Sequence, residues 1–399
     1  MTSKSQDTSK AWSAAEWQYD MLHAERMLAS VLGPTDTAER LKEIVDLCPT
    51  FYPALIELGV LRIETGQADG AQNVEEGLTL LLSDRKLRRK PEEAAEAAQA
   101  SVANLHDLFR FDLSRPFLQK MVERAPRNAW FHMELAHAVA MLGDPARAWE
   151  LSEHATELDP DNGNWWNDRG LYALMGGDAK RATQALERSR RLGGDSTALD
   201  ANFDVLGWME RHEGKTYFDY LLRPVDYDGS SDGFEADTDE AIDDINSYRL
   251  IAMGVERLRG GTISTFPPLA SNIRGFFRAI GRDVFGEPQP LLMEDIDGLR
   301  REIEMKLNGF VIRHRDADGK LIHGICDALL ELYGFLVDRG LVERRARTAF
   351  CKRLDIVRPK VVARAATFRA AQKEGALSPE ARQKLIREVF GNCHDVMMF

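Results

Sequence analysis

Apolar residues recur every three or four positions through most of this chain, which is the spacing of amphipathic helices, and the runs are short. Between residues 129 and 162, Phe131, Leu135 and Val139 mark one helix and Gly143-Asp144 breaks it. Ala148, Leu151 and Ala155 mark a second helix, which Asp159-Pro160 stops, because proline lacks an N–H and restrains the residue before it. The following stretch repeats the pattern, with Trp166 and Gly170, then Gly177-Asp178, then Ala182 and Leu186. Pro126 and Pro160, Gly143 and Gly177, and Ala148 and Ala182 are each 34 residues apart. A fixed period of this length predicts stacked pairs of antiparallel helices. Each pair leaves an apolar face uncovered and needs a neighbour.

The residues of this period resemble the tetratricopeptide repeat family. In 129–162 the family's positions are matched by Leu135, Ala136, Ala148, Ala155 and Pro160. In 163–196 they are matched by Trp166, Gly170, Ala182 and Ser189, with Leu186 at the large apolar position. Gly194 replaces the closing proline there, and Arg169 stands where leucine is usual. Three further units match in part: 52–85 through Leu58, Gly59 and Ala71 with Gly66 at the turn, 18–51 through Leu41, Ile44 and Pro49, and 95–128 through Leu105, Leu118 and Pro126. A last pair is expected over 197–222, around Leu206-Gly207. The period slips once, at the basic segment Arg85 to Pro91.

The resemblance implies that side chains of the first helix in each unit line a concave binding face. These are Trp130, Met133, His137 and Met141 in one unit, Asn164, Asn167, Leu171 and Met175 in the next, and Ile56 and Val60 in the unit at 52–85. Aromatic and methionine side chains give adaptable apolar contact, and asparagine amides bond a peptide backbone through both donor and acceptor. Some members of the family hold a partner's terminal carboxylate with Lys, Asn and Arg; here Met133, His137 and Met141 occupy those places. An apolar helix or an extended segment is therefore the expected ligand. The alternative is that the protein's own C-terminal region fills the groove.

Charge divides the chain. The formal total is −12, yet residues 338–388 hold 14 Lys and Arg against 6 Asp and Glu, so an acidic body carries a basic end. There Phe350, Leu354, Val357, Val361 and Phe368 form an apolar stripe beside Arg345, Arg353, Lys360 and Arg364, a surface suited to nucleic acid or an acidic partner. The helices expected here are 326–339, 343–357 and 359–374, the last begun by Pro359. Between the halves, residues 226–244 hold nine carboxylates in nineteen positions, as a self-repelling linker does. Asp228, Ser230, Asp232, Gly233 and Asp239 match a calcium-binding loop in spacing, but Glu235 replaces its aliphatic position and Asp239 its bidentate glutamate. A helix is expected from Asp239 to Arg259, stopped by Gly260-Gly261. After it, 260–290 reads as irregular around a short helix at 273–284, and a helix follows at 294–308. Alternation around Asp316-Ala317-Asp318-Gly319 then predicts a β-hairpin with His314 and His323 facing each other across it.

These readings combine into an all-α protein in four parts. They are a disordered tail (1–10), a repeat superhelix of tetratricopeptide type (11–222), an acidic linker (223–247) and a basic, mostly helical domain with one hairpin (248–399). The polar start is not that of a secretory leader, and no run reaches the roughly 18–20 apolar residues of a membrane span. The four scattered cysteines fit a reducing cytoplasm better than a disulfide framework. No phosphate-binding glycine loop, Gly-x-Ser-x-Gly or His-Glu-x-x-His occurs, so no cofactor or metal is expected and an enzyme is the less favoured reading. The leading expectation is a scaffold or adaptor that binds a peptide or helix of a partner protein or of a second copy. Beside it stand a nucleic-acid-binding regulator using the basic helices and an enzyme with its site near His314 and His323.

Overall fold

A computed structural model of the chain describes residues 2–29, 34–84, 91–226, 234–235, 238–281, 290–314, 317–373 and 378–391. The fold is all-α. It divides into two compact units, one of residues 1–220 with 254–267 and one of residues 221–253 with 268–399.

The first unit is a series of helices: α1 (Thr2–Ala29), α2 (Pro34–Leu47), α3 (Tyr52–Glu64), α4 (Gly70–Ser83), α5 (Pro91–Asp107) and α6 (Phe111–Arg124). It continues through α7 (Ala129–Met141), α8 (Pro145–Leu158), α9 (Gly163–Met175), α10 (Ala179–Arg191), α11 (Ser196–Arg211) and the short α12 (Tyr217–Leu221). From α1/α2 to α9/α10, odd and even helices pack as pairs, and each pair packs on the next, as tetratricopeptide-type repeats do. α1 begins at Thr2, where the sequence predicts a disordered tail. Nothing between Thr2 and Ala29 stops a helix, since the stretch holds neither glycine nor proline.

The Gly-Asp turns explain the period in physical terms. Gly143 and Gly177 have positive φ (101° and 76°), which ends α7 and α9 without the steric penalty of a Cβ. The aspartate that follows then starts the next helix. Asp144 accepts from the N–H of Arg147 at 3.0 Å and Asp178 from that of Arg181 at 2.9 Å. Asn128 and Asn162, also 34 residues apart, cap α7 and α9 by accepting from Phe131 and Asn164. Each such cap contributes about 1 kcal/mol. Small residues set the pair spacing. A Cβ on Gly59 would lie 2.8 Å from the carbonyl oxygen of Gly70 and from the N of Val74, so α3 and α4 meet backbone to backbone. Ala148 and Ala182 are fully buried at the equivalent crossings. Arg169 takes the usual leucine position by lying over the Trp149 ring at 4.1 Å while it donates to Thr156 at 3.0 Å and Glu153 at 2.7 Å.

The second unit holds the N-terminal part of α13 (Asp239–Arg259), then α14 (Phe266–Ile280) from Pro268 on, α15 (Ile296–Arg313), α16 (Gly319–Asp338), α17 (Arg344–Lys373) and α18 (Pro379–Phe390). A two-residue parallel pair, Val225–Asp226 with Phe234–Glu235, lies in the acidic run. The guanidinium of Arg249 on α13 is fully buried, pairs with Glu294 at 2.5 Å and donates to the carbonyls of Leu221 and Arg223. Asn246 holds the same segments, donating to Leu291 O at 3.0 Å and accepting from Met293 N at 2.8 Å.

Three sequence expectations are corrected here. The hairpin is two helices, because Ile303, Leu307, Phe310 and Val311 keep a helical stripe and are buried on it. The Asp-Gly signal is instead an N-cap, Asp318 accepting from Leu321 N at 2.8 Å. Accordingly His314 stacks on Phe310 one turn back in its own helix, and His323 stands exposed on α16. The stretch after Gly261 is helical from Phe266, its two prolines lying in the first turn where no N–H is needed. Finally, α17 runs unbroken through Pro359. The complete burial of Phe350, Leu354, Val357, Val361, Ala365 and Phe368 outweighs the ~3 kcal/mol that an internal proline costs.

Substituting Gly59→Ala forces α3 and α4 apart against backbone atoms. It lowers unfolding stability by about 2 kcal/mol, read as a reduced urea midpoint, whereas alanine at the exposed Ser247 changes it little.

Candidate partner-binding surface

The first helices of successive pairs are α1, α3, α5, α7, α9 and α11, and the predicted groove residues lie on α7 and α9. Met133 is buried, and Tyr172 reaches its sulfur at 3.7 Å through the phenol O–H. His137 is enclosed against Phe111 and Tyr172, with ring centroids 5.5 and 6.3 Å away. That enclosure pushes its pKa down to about 4, so the ring is neutral at pH 7. Met141 is buried as well. The two asparagines are engaged within the chain: Asn167 accepts from the Asn202 amide at 3.0 Å and Asn164 from the N–H of Asp195 at 2.9 Å. Trp130, Leu171 and Met175 are half-buried and Asn164 is exposed.

Open space lies further toward the N-terminus. A cleft of about 700 Å³ is bounded by α1, α3 and α5. Met27, Tyr52 and Val60 give it apolar surface, and Ser101 and Asn104 give it neutral hydrogen-bonding groups. Glu57 forms a polar centre in it. The carboxylate accepts from Tyr19 Oη at 2.6 Å and Arg26 Nη1 at 2.6 Å, with His23 Nε2 at 2.9 Å. Burial pushes the Tyr52 phenol up to about 12 and Tyr19 further, so both stay protonated donors. The sequence reading named Ile56 and Val60 on this wall and missed Glu57 and His23. The signal that finds them is the period itself, since His23 and Glu57 are 34 residues apart.

The same repeat position carries Glu134 on α7, Asp168 on α9 and Asn202 on α11, again at steps of 34. His106 sits 3.3 Å from Glu134 through Nδ1 and 2.9 Å from Ser114 Oγ through Nε2. Asp168 retains some surface but is closely surrounded by protein. That burial, and then the charge of Glu134, push its carboxyl up to about 7.

In the second unit, Arg353 and Arg364 turn onto Glu304 at 3.1 and 3.0 Å, Arg345 is exposed and pairs with Glu343, and Lys360 is exposed. Of the proposed calcium ligands, Asp239 begins α13, while Asp228, Ser230 and Asp232 lie outside the described residues. Among the described residues, no three His, Cys, Asp or Glu side chains gather as a metal site, and no helix is long and apolar enough to cross a membrane.

The repeat unit is thus a stack of tetratricopeptide-type helix pairs with a cleft between α1, α3 and α5. No protein family and no curated protein matches the chain. Among solved structures it is similar to MamA from Desulfovibrio magneticus RS-1 (residues 41 to the end), at 20% identity over 45% of this chain and 94% of that one, TM-score 0.32. It is also similar to the P58(IPK) TPR domain, at 14% identity over 88% of this chain and 99% of that one, TM-score 0.25. At TM-scores this low, the repeat assignment rests on the helix pairing, turns and glycine contacts described above.

Asp168 makes stability pH-dependent with a definite sign. Its folded pKa of about 7 lies above its usual value of 3.8, so between these values the folded chain binds the extra proton. Its contribution to stability is therefore largest below about pH 4, falls as pH rises, and levels off above about pH 7. Asp168→Asn removes this loss. The variant gains about 2 kcal/mol over the wild type at pH 8 and nothing at pH 4, measured by urea unfolding at the two pH values.

Proposed function

We propose that the protein is an interaction scaffold that holds a segment of a partner protein against the inner helices of its repeats, at the cleft between α1, α3 and α5. The observation that carries this reading is the cleft itself, of about 700 Å³, with apolar walls and a satisfied polar centre at Glu57. An extended peptide or a helix turn places an apolar side chain against Tyr52, Val60 and Met27. Its backbone groups meet Ser101 and Asn104. Met27 is 88% exposed, an unusual state for a large apolar side chain beside a concavity. On the same helix Trp17 and Met21 stand exposed one turn apart, a patch suited to a second protein or a second copy of this chain.

Trp130, Leu171 and Met175 extend the surface along the inner-helix series. Met133, Met141 and Asn167 form its floor there, with His137 half-buried between them, so contact with the buried three requires the helices to open. The basic end of the chain supports a nucleic-acid reading less well, because Arg353 and Arg364 are committed to Glu304.

The test is selection of peptides from a random display library on the full chain, followed by affinity measurement on variants. Val60→Asp lowers the affinity of a selected peptide by about tenfold or more, and Leu171→Lys lowers it less. A selected peptide that binds Val60→Asp as tightly as wild type removes the cleft assignment.

A further inference from the structure

Residues 66, 109, 143 and 177 hold the same place in four turns between paired helices, and all four have positive φ: 74°, 57°, 101° and 76°. Three are glycine, which adopts this conformation freely. The fourth is Phe109, the one non-glycine residue with positive φ among the described residues, and for a bulky side chain that backbone is an outlier. The ring it places is buried and meets Phe111 edge-on at 6.0 Å and Phe266 at 5.3 Å with planes at 90°.

Phe266 closes a segment, residues 254–267, that folds with the repeats although it lies beyond them in the sequence. Gly254 admits both rings, since a Cβ there would lie 2.8 Å from Phe109 Cδ1 and 2.8 Å from Phe266 Cε1. Val255, Leu258 and Ile263 are buried along the segment. The Arg259 guanidinium lies 4.4 Å over the Phe218 ring, and its Nε would be 3.6 Å from a Cβ on Gly143. The segment therefore touches two of the four turns and α12. The pair α5/α6 also packs directly on α7.

We propose that Phe109 makes this turn edge of the repeats a docking site for a helix end followed by a glycine turn and an aromatic residue, and that residues 254–266 are the chain's own ligand for it, held in cis. The site is separate from the cleft of α1, α3 and α5.

The experiment uses the full chain and a blocked, fluorescent peptide of residues 254–267. In the wild type the cis segment occupies the site at high effective concentration, and the added peptide binds weakly. Gly254→Trp expels the cis segment and raises peptide affinity by about tenfold or more. Adding Phe109→Gly to that variant removes the gain. Equal affinity for wild type and Gly254→Trp, or a gain that persists in the double variant, overturns the proposal.

Hydrogen exchange on Phe109→Gly alone gives a readout that does not need Gly254→Trp to fold. The amides of 255–266 exchange about tenfold faster or more while those of α7 to α10 keep their protection. Unchanged protection of 255–266, or a loss spread evenly through α7 to α10, assigns Phe109 to the general core and overturns the docking site.

Discussion

A short helix pair cannot bury its own apolar faces, and the repeat unit depends on reversing the chain tightly enough that the next pair always arrives in place. The reversal combines a left-handed residue that ends one helix with a side-chain cap that starts the next. Gly143-Asp144 and Gly177-Asp178 do both in two residues. With the turns fixed, the crossing residues must be small. At Gly59 the crossing is so close that backbone sets the distance, and Ala148 and Ala182 are fully buried at theirs. The regular spacing of polar residues on the inner helices follows from this geometry. His23 meets Glu57, and Glu134 acts on Asp168, because each pair is one repeat apart.

The repeat half was legible because its signals are local. Glycine, aspartate, asparagine and proline act within a turn, and their period survives where individual positions vary. Arg169 was visible as a departure but not explicable from the sequence. Its place depends on Trp149, Trp166, Glu153 and Thr156, which only the packing of α8 on α9 brings around it. Periodicity says which side chains point inward, but it does not say that Asn202 bonds Asn167 or that His137 is enclosed.

The C-terminal third was misread where a local signal competed with burial. Asp-Gly favours a hairpin, and proline favours a break, when nothing else decides. Here Leu307, Phe310 and Val311 continue one helical stripe up to the Asp-Gly turn, and Phe350 to Phe368 continue another straight through Pro359. Each fully buried large apolar side chain is worth roughly 1.5–3 kcal/mol, so two or three of them outweigh either local preference. Counting charges along α17 does not reveal that Glu304, from α15, draws Arg353 and Arg364 together.

Phe109 is where the local rule and the tertiary structure disagree most openly, and the disagreement has a direction. Strain of about 1–2 kcal/mol persists at a turn only when contacts elsewhere exceed it. A glycine at 109 would complete the α5–α6 turn with less strain, as glycine does at 66, 143 and 177. The compensating contacts come only in part from the turn. They come from Phe111, from Gly254 and from Phe266, and two of these three lie more than a hundred residues further along the chain. At this repeat position the departure from glycine at a left-handed turn, readable in sequence once the period is known, coincides with contacts that reach the turn from beyond the repeats.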